Sequence, residues 1–311
     1  MPKSLLRIAD LGPSDVERLL DRADSFKKSP KQSGDLLVGE SVVLYFAKPS
    51  TRTKLSFATA VHRLGGVPIA VGPAELQMGR GESVEDTARV VSRLARVFVA
   101  RTFEDEQLVR FDRAATIPVV NALTDGHHPC QALADLMTLR EHFGRLRGLS
   151  IAYVGAGNNV THSLIEAAAL AGVNIRVGTP PALAPSPEIV ERASAIAQSH
   201  GATVELVHDA AQAVAGADAI YTDTWLSMGE PEEEHDARVR ALASFQVNAA
   251  LMGRAQPTAV FLHCLPAHRG EEVTDEVADS RASLIFDQAE NRLHTTVAVL
   301  EAVVRGTLTG A

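Results

Sequence analysis

Short apolar runs alternate along nearly the whole chain with longer stretches in which apolar positions recur every three or four residues. The first helical stretch carries Leu19, Leu20, Ala23 and Phe26 on one face. Ser14 and Glu17 have capping-box spacing, so a helix is expected to open at Ser14. Residues 41–46 read as a strand, and residues 51–64 as a helix with Leu55, Ala58, Thr59, Val61 and His62 at helical spacing and Ser50 as its N-cap. Gly65-Gly66 ends that helix, 67–71 is a second strand, and 72–81 is a loop carrying Gln77, Met78 and Arg80. Ser83 with Asp86 caps a helix to about residue 94. A strand at 97–100 ends at Arg101, and a helix at 104–114, a strand at 118–121 and a helix at 129–143 follow.

After a polar string at 145–148 the pattern restarts. Strands are expected at 150–154, 173–177, 203–207, 219–222, 258–262 and, last and short, 284–286; helices lie between them, and a final helix covers 289–304. Apolar strands alternating with amphipathic helices specify parallel sheets with helical crossovers, so the fold class is α/β with two doubly wound parallel-sheet domains. The expected division is 1–145 and 146–288, with the C-terminal helix, 289–311, packing back on the first domain. Ligands of open parallel sheets bind outside the carboxyl ends of the strands, which places the active site in the interdomain cleft.

A chain of 311 residues suits two domains. Hydrophobic residues make up 46% and charged ones 22%, as in globular proteins, and no apolar run approaches the ~20 residues that span a bilayer. The N-terminal stretch lacks the pattern of a secretory signal. A formal charge of −8 disfavours nucleic acid and anionic membranes as partners. Cys130 and Cys264 cannot make a disulfide framework, which points to a reducing, cytoplasmic location.

Polar residues cluster just after predicted strands: Ser50 to Thr53, Arg101, His128 to Gln131, Asn158-Asn159, Asp223 to Met228, and His263 to Pro266. In the first cluster a helix start offers unpaired N–H groups and a positive dipole end. Ser50, Thr51 and Thr53 add hydroxyl donors and Arg52 a bidentate fork, a combination suited to phosphate. His127-His128 has no matching Cys/His spacing elsewhere, so no metal is expected. Gly155-Ala156-Gly157 follows a strand, but Val160 stands where a dinucleotide fingerprint needs glycine, and no acid ends the next strand. Phosphate-loop and acyl-hydrolase signatures are missing from the sequence.

Taken together, Ser50-Thr51-Arg52-Thr53, His128-Pro129-Cys130-Gln131, Asp223 to Gly229 and His263-Cys264-Leu265-Pro266 closely resemble the aspartate/ornithine carbamoyltransferase family, on its ornithine branch. The resemblance implies an enzyme that needs no cofactor and no metal and makes L-citrulline and phosphate from carbamoyl phosphate and L-ornithine in arginine biosynthesis. It implies a carbamoyl-phosphate domain at 1–145 and an ornithine domain at 146–288. By similarity, Ser50, Thr51, Arg52, Thr53, Gln77, Arg101, His128, Gln131, Cys264, Leu265 and Arg292 hold carbamoyl phosphate. Asn159, Asp223, Ser227, Met228 and Cys264 hold ornithine, and Arg52, Arg101, His128 and Cys264 take part in catalysis, with Cys264 as a positioning residue, not a nucleophile. A cytoplasmic homotrimer is also implied, with the loop around Gln77 lent to a neighbour. Ala47 and Ala156 depart from the family pattern. Three other readings stand beside this one: a carbamoyltransferase for putrescine or an N-acylated ornithine, a non-catalytic anion-binding protein, and a dinucleotide oxidoreductase.

Overall fold

The computed structural model describes residues 4–29, 34–226 and 235–310. In chain order the strands are β1 (Ser41–Phe46), β2 (Val67–Val71), β3 (Val97–Arg101), β4 (Val119–Leu123), β5 (Ser150–Val154), β6 (Asn174–Gly178), β7 (Val204–Val207), β8 (Ala219–Thr222) and β9 (Val260–His263). The helices are α1 (Pro13–Lys28), α2 (Arg52–Arg63), α3 (Val84–Val91), α4 (Asp105–Ala114), α5 (Pro129–Phe143), α6 (Asn159–Ala171), α7 (Pro187–Ser199), α8 (Ala210–Val214), α9 (His235–Leu242), α10 (Ala249–Met252), α11 (Asp275–Ala278) and α12 (Ile285–Arg305). The chain divides into two compact units, Met1–Met137 with Glu290–Ala311, and Thr138–Ala289.

The first unit holds a parallel sheet of order β2-β1-β3-β4. Its strands β3 and β4 are buried along their whole length, and Phe98 of β3 stacks on Phe111 of α4 with ring centroids 3.9 Å apart. The second unit holds the parallel order β7-β6-β5-β8-β9. Side chains alternate across a strand, and here each face has its own core. Ile151, Tyr153, Ala219, Tyr221, Val260 and Leu262 lie in one cluster, whereas Ala152, Val154, Ile220 and Phe261 lie in the other. Helices therefore cover both faces, which is why these strands read as unbroken apolar runs and both sheets are doubly wound. No helix among the described residues is long and apolar enough to cross a membrane.

Three local expectations are corrected. The segment 284–286 is not a strand: only Ser283 bridges to Phe261, and α12 already begins at Ile285. Leu55 does not belong to the buried face of α2; it is 62% exposed, and Thr53, Ser56, Phe57, Ala60 and Val61 turn inward instead. The first helix opens at Pro13 with Gly12 as N-cap, not at Ser14.

The last correction has a tertiary cause. The buried Asp15 carboxylate accepts hydrogen bonds from the backbone N–H groups of Gly12 (3.1 Å), Thr309 (3.0 Å) and Gly310 (2.8 Å), and pairs with Arg18, tying the start of α1 to the C-terminal tail. Burial raises its pKa, but the bonds from Thr309, Gly12 and Gly310 outweigh it and hold the group below the usual 3.8. A carboxylate with a depressed folded pKa contributes stability that is complete above the unfolded value and is lost as pH falls through the folded one. Asp15→Ala is expected to cost roughly 3 kcal/mol at neutral pH, with the difference from the parent shrinking in acid; urea unfolding at several pH values measures both.

Candidate active site

In the first sheet the winding reverses between β1 and β3, so the crevice favoured for ligands lies where these two strands end. Arg101 is the last residue of β3, in register with Phe46, and its carbonyl accepts from Ala47 N–H at 2.8 Å. The chain leaving β1 turns into α2 with Thr51, not Ser50, as N-cap; Thr51 has helical dihedrals and makes no side-chain cap bond. Ser50 and Arg52 are half-buried and Thr51 is exposed. Behind them Thr53, Arg101, His128, Gln131 and Arg292 are all buried.

Arg292 organises this group. Its Nη1 donates to Gln131 Oε1 at 2.5 Å and its Nη2 to Thr53 Oγ1 at 3.1 Å. Gln131 in turn donates through Nε2 to Asp135 Oδ1 at 2.8 Å, which orients its amide. Burial, reinforced by the charges of Arg292 and Arg101, pushes the His128 pKa well below the ordinary imidazole value, so the ring is neutral at physiological pH. The group therefore combines two guanidinium cations with a neutral imidazole beside a helix start. Cys130, between His128 and Gln131 in the chain, is a buried thiol pushed up to about 11 by burial and is no nucleophile. Gln77 begins a short 3-10 turn, Gln77–Arg80, and is exposed; no side-chain hydrogen bond joins it to the buried group among the described residues.

Two supports escaped the sequence reading. Lys48 is buried, pairs with Asp125 and stands 4.6 Å from the centroid of the Phe103 ring. Asp105 accepts from Thr124 Oγ1 (2.6 Å) and Gly126 N–H (2.9 Å) and contacts His127 Nδ1 (2.8 Å), fixing the loop that delivers His128. Burial works against ionisation of Asp105, but bonds from His127 and Thr124 prevail and hold its pKa down. A strand-end lysine and a loop aspartate carry no periodicity, so nothing in the pattern announces either pairing.

In the second sheet the reversal falls between β5 and β8. Asp223 follows β8 and is buried. Asn158 Nδ2 donates to Oδ2 at 2.7 Å, while Thr224 N–H (2.8 Å) and Cys264 Sγ (2.9 Å) donate to Oδ1. Asn158 Oδ1 simultaneously caps α6 by accepting from the N–H groups of Val160 and Thr161, both at 3.0 Å. The predicted Asn159 is the half-buried first residue of α6, and the bond to Asp223 belongs to its neighbour Asn158. Gly157 is explained by packing, since a Cβ there would collide with the backbone at Ala184 and Pro185. Leu265 takes φ +59°, a conformation uncommon for a residue with a Cβ, and precedes a cis peptide bond to Pro266. Its N–H donates to His263 Nδ1 at 2.8 Å. Ser227 and Met228 lie outside the described residues.

Residues 3–141 match the carbamoyl-P binding domain of the aspartate/ornithine carbamoyltransferases, and residues 147–303 match the Asp/Orn binding domain. The chain belongs to the aspartate/ornithine carbamoyltransferase family. An ornithine carbamoyltransferase from Acidothermus cellulolyticus is 49% identical over 300 residues, 96% of each chain. Among solved structures, ornithine carbamoyltransferase from Pyrococcus furiosus aligns with TM-score 0.93 at 43% identity, over 97% of this chain and 96% of that one. The enzyme of the same name from Gloeobacter violaceus aligns with TM-score 0.88 at 44% identity, over 98% and 99%. The second carbamoyltransferase domain, as delimited along the chain, includes Arg292, yet this arginine folds into the first unit with Thr53 and Gln131.

Proposed function

We propose that this chain transfers the carbamoyl group of carbamoyl phosphate to the δ-amine of L-ornithine, giving L-citrulline and phosphate in arginine biosynthesis. The observation that carries the reading is the buried group of Arg101, Arg292 and a neutral His128 at the switch point of the first sheet. Carbamoyl phosphate joins a phosphate dianion to a carbonyl whose oxygen becomes an oxyanion on attack. Ser50, Thr51, Arg52, Thr53 and the α2 start take the phosphate in this reading, with Gln77 and Arg292 assisting. Arg101, His128 and Gln131 donate toward the carbonyl oxygen. One well-placed oxyanion donor contributes about 3–4 kcal/mol to lowering the barrier.

On the second unit, Asp223 supplies the negative charge that an α-ammonium requires, and Asn159, Ser227, Met228 and Cys264 complete the ornithine set, while Cys264 and Leu265 also serve carbamoyl phosphate. Regions 1–145 with 289–311, and 146–288, serve the two substrates respectively. The neutral amine nitrogen attacks the carbonyl carbon, a tetrahedral oxyanion forms, the carbon–oxygen bond to phosphate breaks, and phosphate departs with the amine's proton. No covalent enzyme intermediate is required, and the Cys264 thiol serves as a donor to Asp223. Approximation of the substrates can supply up to ~7–11 kcal/mol.

Colorimetric citrulline detection with the purified chain tests this. Citrulline is expected with ornithine and no carbamoylated product with putrescine or N-acetylornithine; binding of carbamoyl phosphate without citrulline formation would support the non-catalytic alternative. A second expectation concerns pH. His128 is already neutral, so the acid limb of kcat/KM should follow the substrate amine and keep its position in His128→Gln, whose amide retains a donor; a limb near pH ~6.5 that vanishes in that variant would contradict the role. A cytoplasmic homotrimer completes the proposal, with light scattering of the purified chain as the check on the trimer; neither Cys130 nor Cys264 is in a disulfide, in keeping with a reducing compartment.

A further inference from the structure

We propose that His268, Glu271 and Glu272 bind one divalent transition-metal cation of the zinc type, at a site distinct from the substrate residues assigned above. A ligand atom from each lies within 4.8 Å of the others. All three come from one turn after β9, made possible by Gly270 at φ +92° and pinned by Gln246 Nε2, which donates to the carbonyls of Gly270 (2.9 Å) and Glu271 (2.8 Å).

Glu272 carries the argument. Its side chain is 0% exposed, its Oε1 accepts from His268 N–H and from His263 Nε2 at 3.2 Å, and its Oε2 has no hydrogen-bond partner among the described residues. His263 is a neutral partner, because its Nδ1 accepts from Leu265 N–H and its proton must sit on Nε2. The nearby Arg269 is spent on Asp275 and Asp279. A buried carboxylate held by neutral donors, with one oxygen unused, is a strong demand for a cation. That free oxygen lies 4.0 Å from His268 Nδ1. Glu271 completes the set, its carboxylate steadied by His235 Nε2 at 3.2 Å from both oxygens, which is the supporting bond a ligating carboxylate needs.

Tetrahedral coordination with bonds of about 2.0–2.1 Å places ligand atoms about 3.3 Å apart, so a modest contraction of this cluster suffices. Two carboxylates neutralise the charge of a divalent ion, and the imidazole favours zinc-like ions over magnesium and calcium. His268 Nδ1 lies 3.0 Å from Thr224 Oγ1, a contact that a cation on this nitrogen displaces, leaving the Thr224 hydroxyl its bond to the Leu226 carbonyl. The competing cluster, Asp223, His263 and Cys264, is internally satisfied, since both His263 nitrogens and the Cys264 thiol are already engaged.

The test titrates Zn2+ into the EDTA-treated full chain by calorimetry and records thermal unfolding alongside. One tight equivalent and a raised Tm are expected, with affinity weakened at least about tenfold in His268→Ala and in Glu271→Gln, and retained in Cys264→Ser. Co2+ in the same site should show no thiolate-to-metal charge-transfer band. Binding by His268→Ala and Glu271→Gln equal to the parent's, absence of tight binding, or loss of binding in Cys264→Ser together with a thiolate band would each overturn the assignment.

Discussion

Arg292→Ala is expected to lower kcat/KM for carbamoyl phosphate by roughly a thousandfold, near the upper range for loss of a single preorganised donor. The guanidinium is buried, and its two terminal nitrogens hold Gln131 and Thr53 in place. Removing it deletes a cation from the proposed phosphate set and unpairs two buried polar groups, each worth about 1–3 kcal/mol when left unsatisfied. Stability should therefore fall too. Arg292→Lys separates the effects, because it restores charge without the planar fork and should recover only part of the activity. Steady-state kinetics, alongside urea unfolding, decides the matter: a folded Arg292→Ala variant with parent-like kcat/KM removes Arg292 from the site.

Asp223→Asn is expected to cut kcat/KM for ornithine by a factor of about a thousand, within the ~2–5 kcal/mol that follows truncation of a buried charge pair. Both carboxylate oxygens accept hydrogen bonds, so an amide here always points an NH2 group at a donor. Asn158 cannot turn over to relieve the conflict without giving up its cap on α6. The loss should be confined to the amino-acid substrate. Calorimetry should find carbamoyl phosphate binding unchanged, and an equal loss for both substrates would mean that Asp223 acts by supporting the fold.

Many elements were legible in the sequence because the residues that form them also terminate them. Ser83 accepts from Asp86 N–H to start α3, and Asp209 from Gln212 N–H to start α8, both as local spacing predicts. The buried parallel strands announce themselves as apolar runs because helices cover both faces of the second sheet. Where local rules misled, a distant partner had intervened. Asp15, not Ser14, organises the first helix because the C-terminal tail adds its N–H groups to the same carboxylate. On α2 the polar Thr53 turns inward to meet Arg292 while Leu55 stays in solvent, the reverse of what hydrophobicity alone assigns.

Alternation of apolar and polar positions, by itself, determined two α/β repeats, parallel sheets and polar clusters at the carboxyl ends of strands, since burial on two faces and helix starts leave a local signature. Family motifs added the reaction. Tertiary structure alone decided that residues 161 and 239 positions apart, Gln131 and Thr53 with Arg292, share one hydrogen-bonded group, that Asn158 answers Asp223, and that Glu272 is buried with an oxygen to spare. These are pairings between side chains brought together by strand order and winding, and no window of neighbouring residues contains both halves of them.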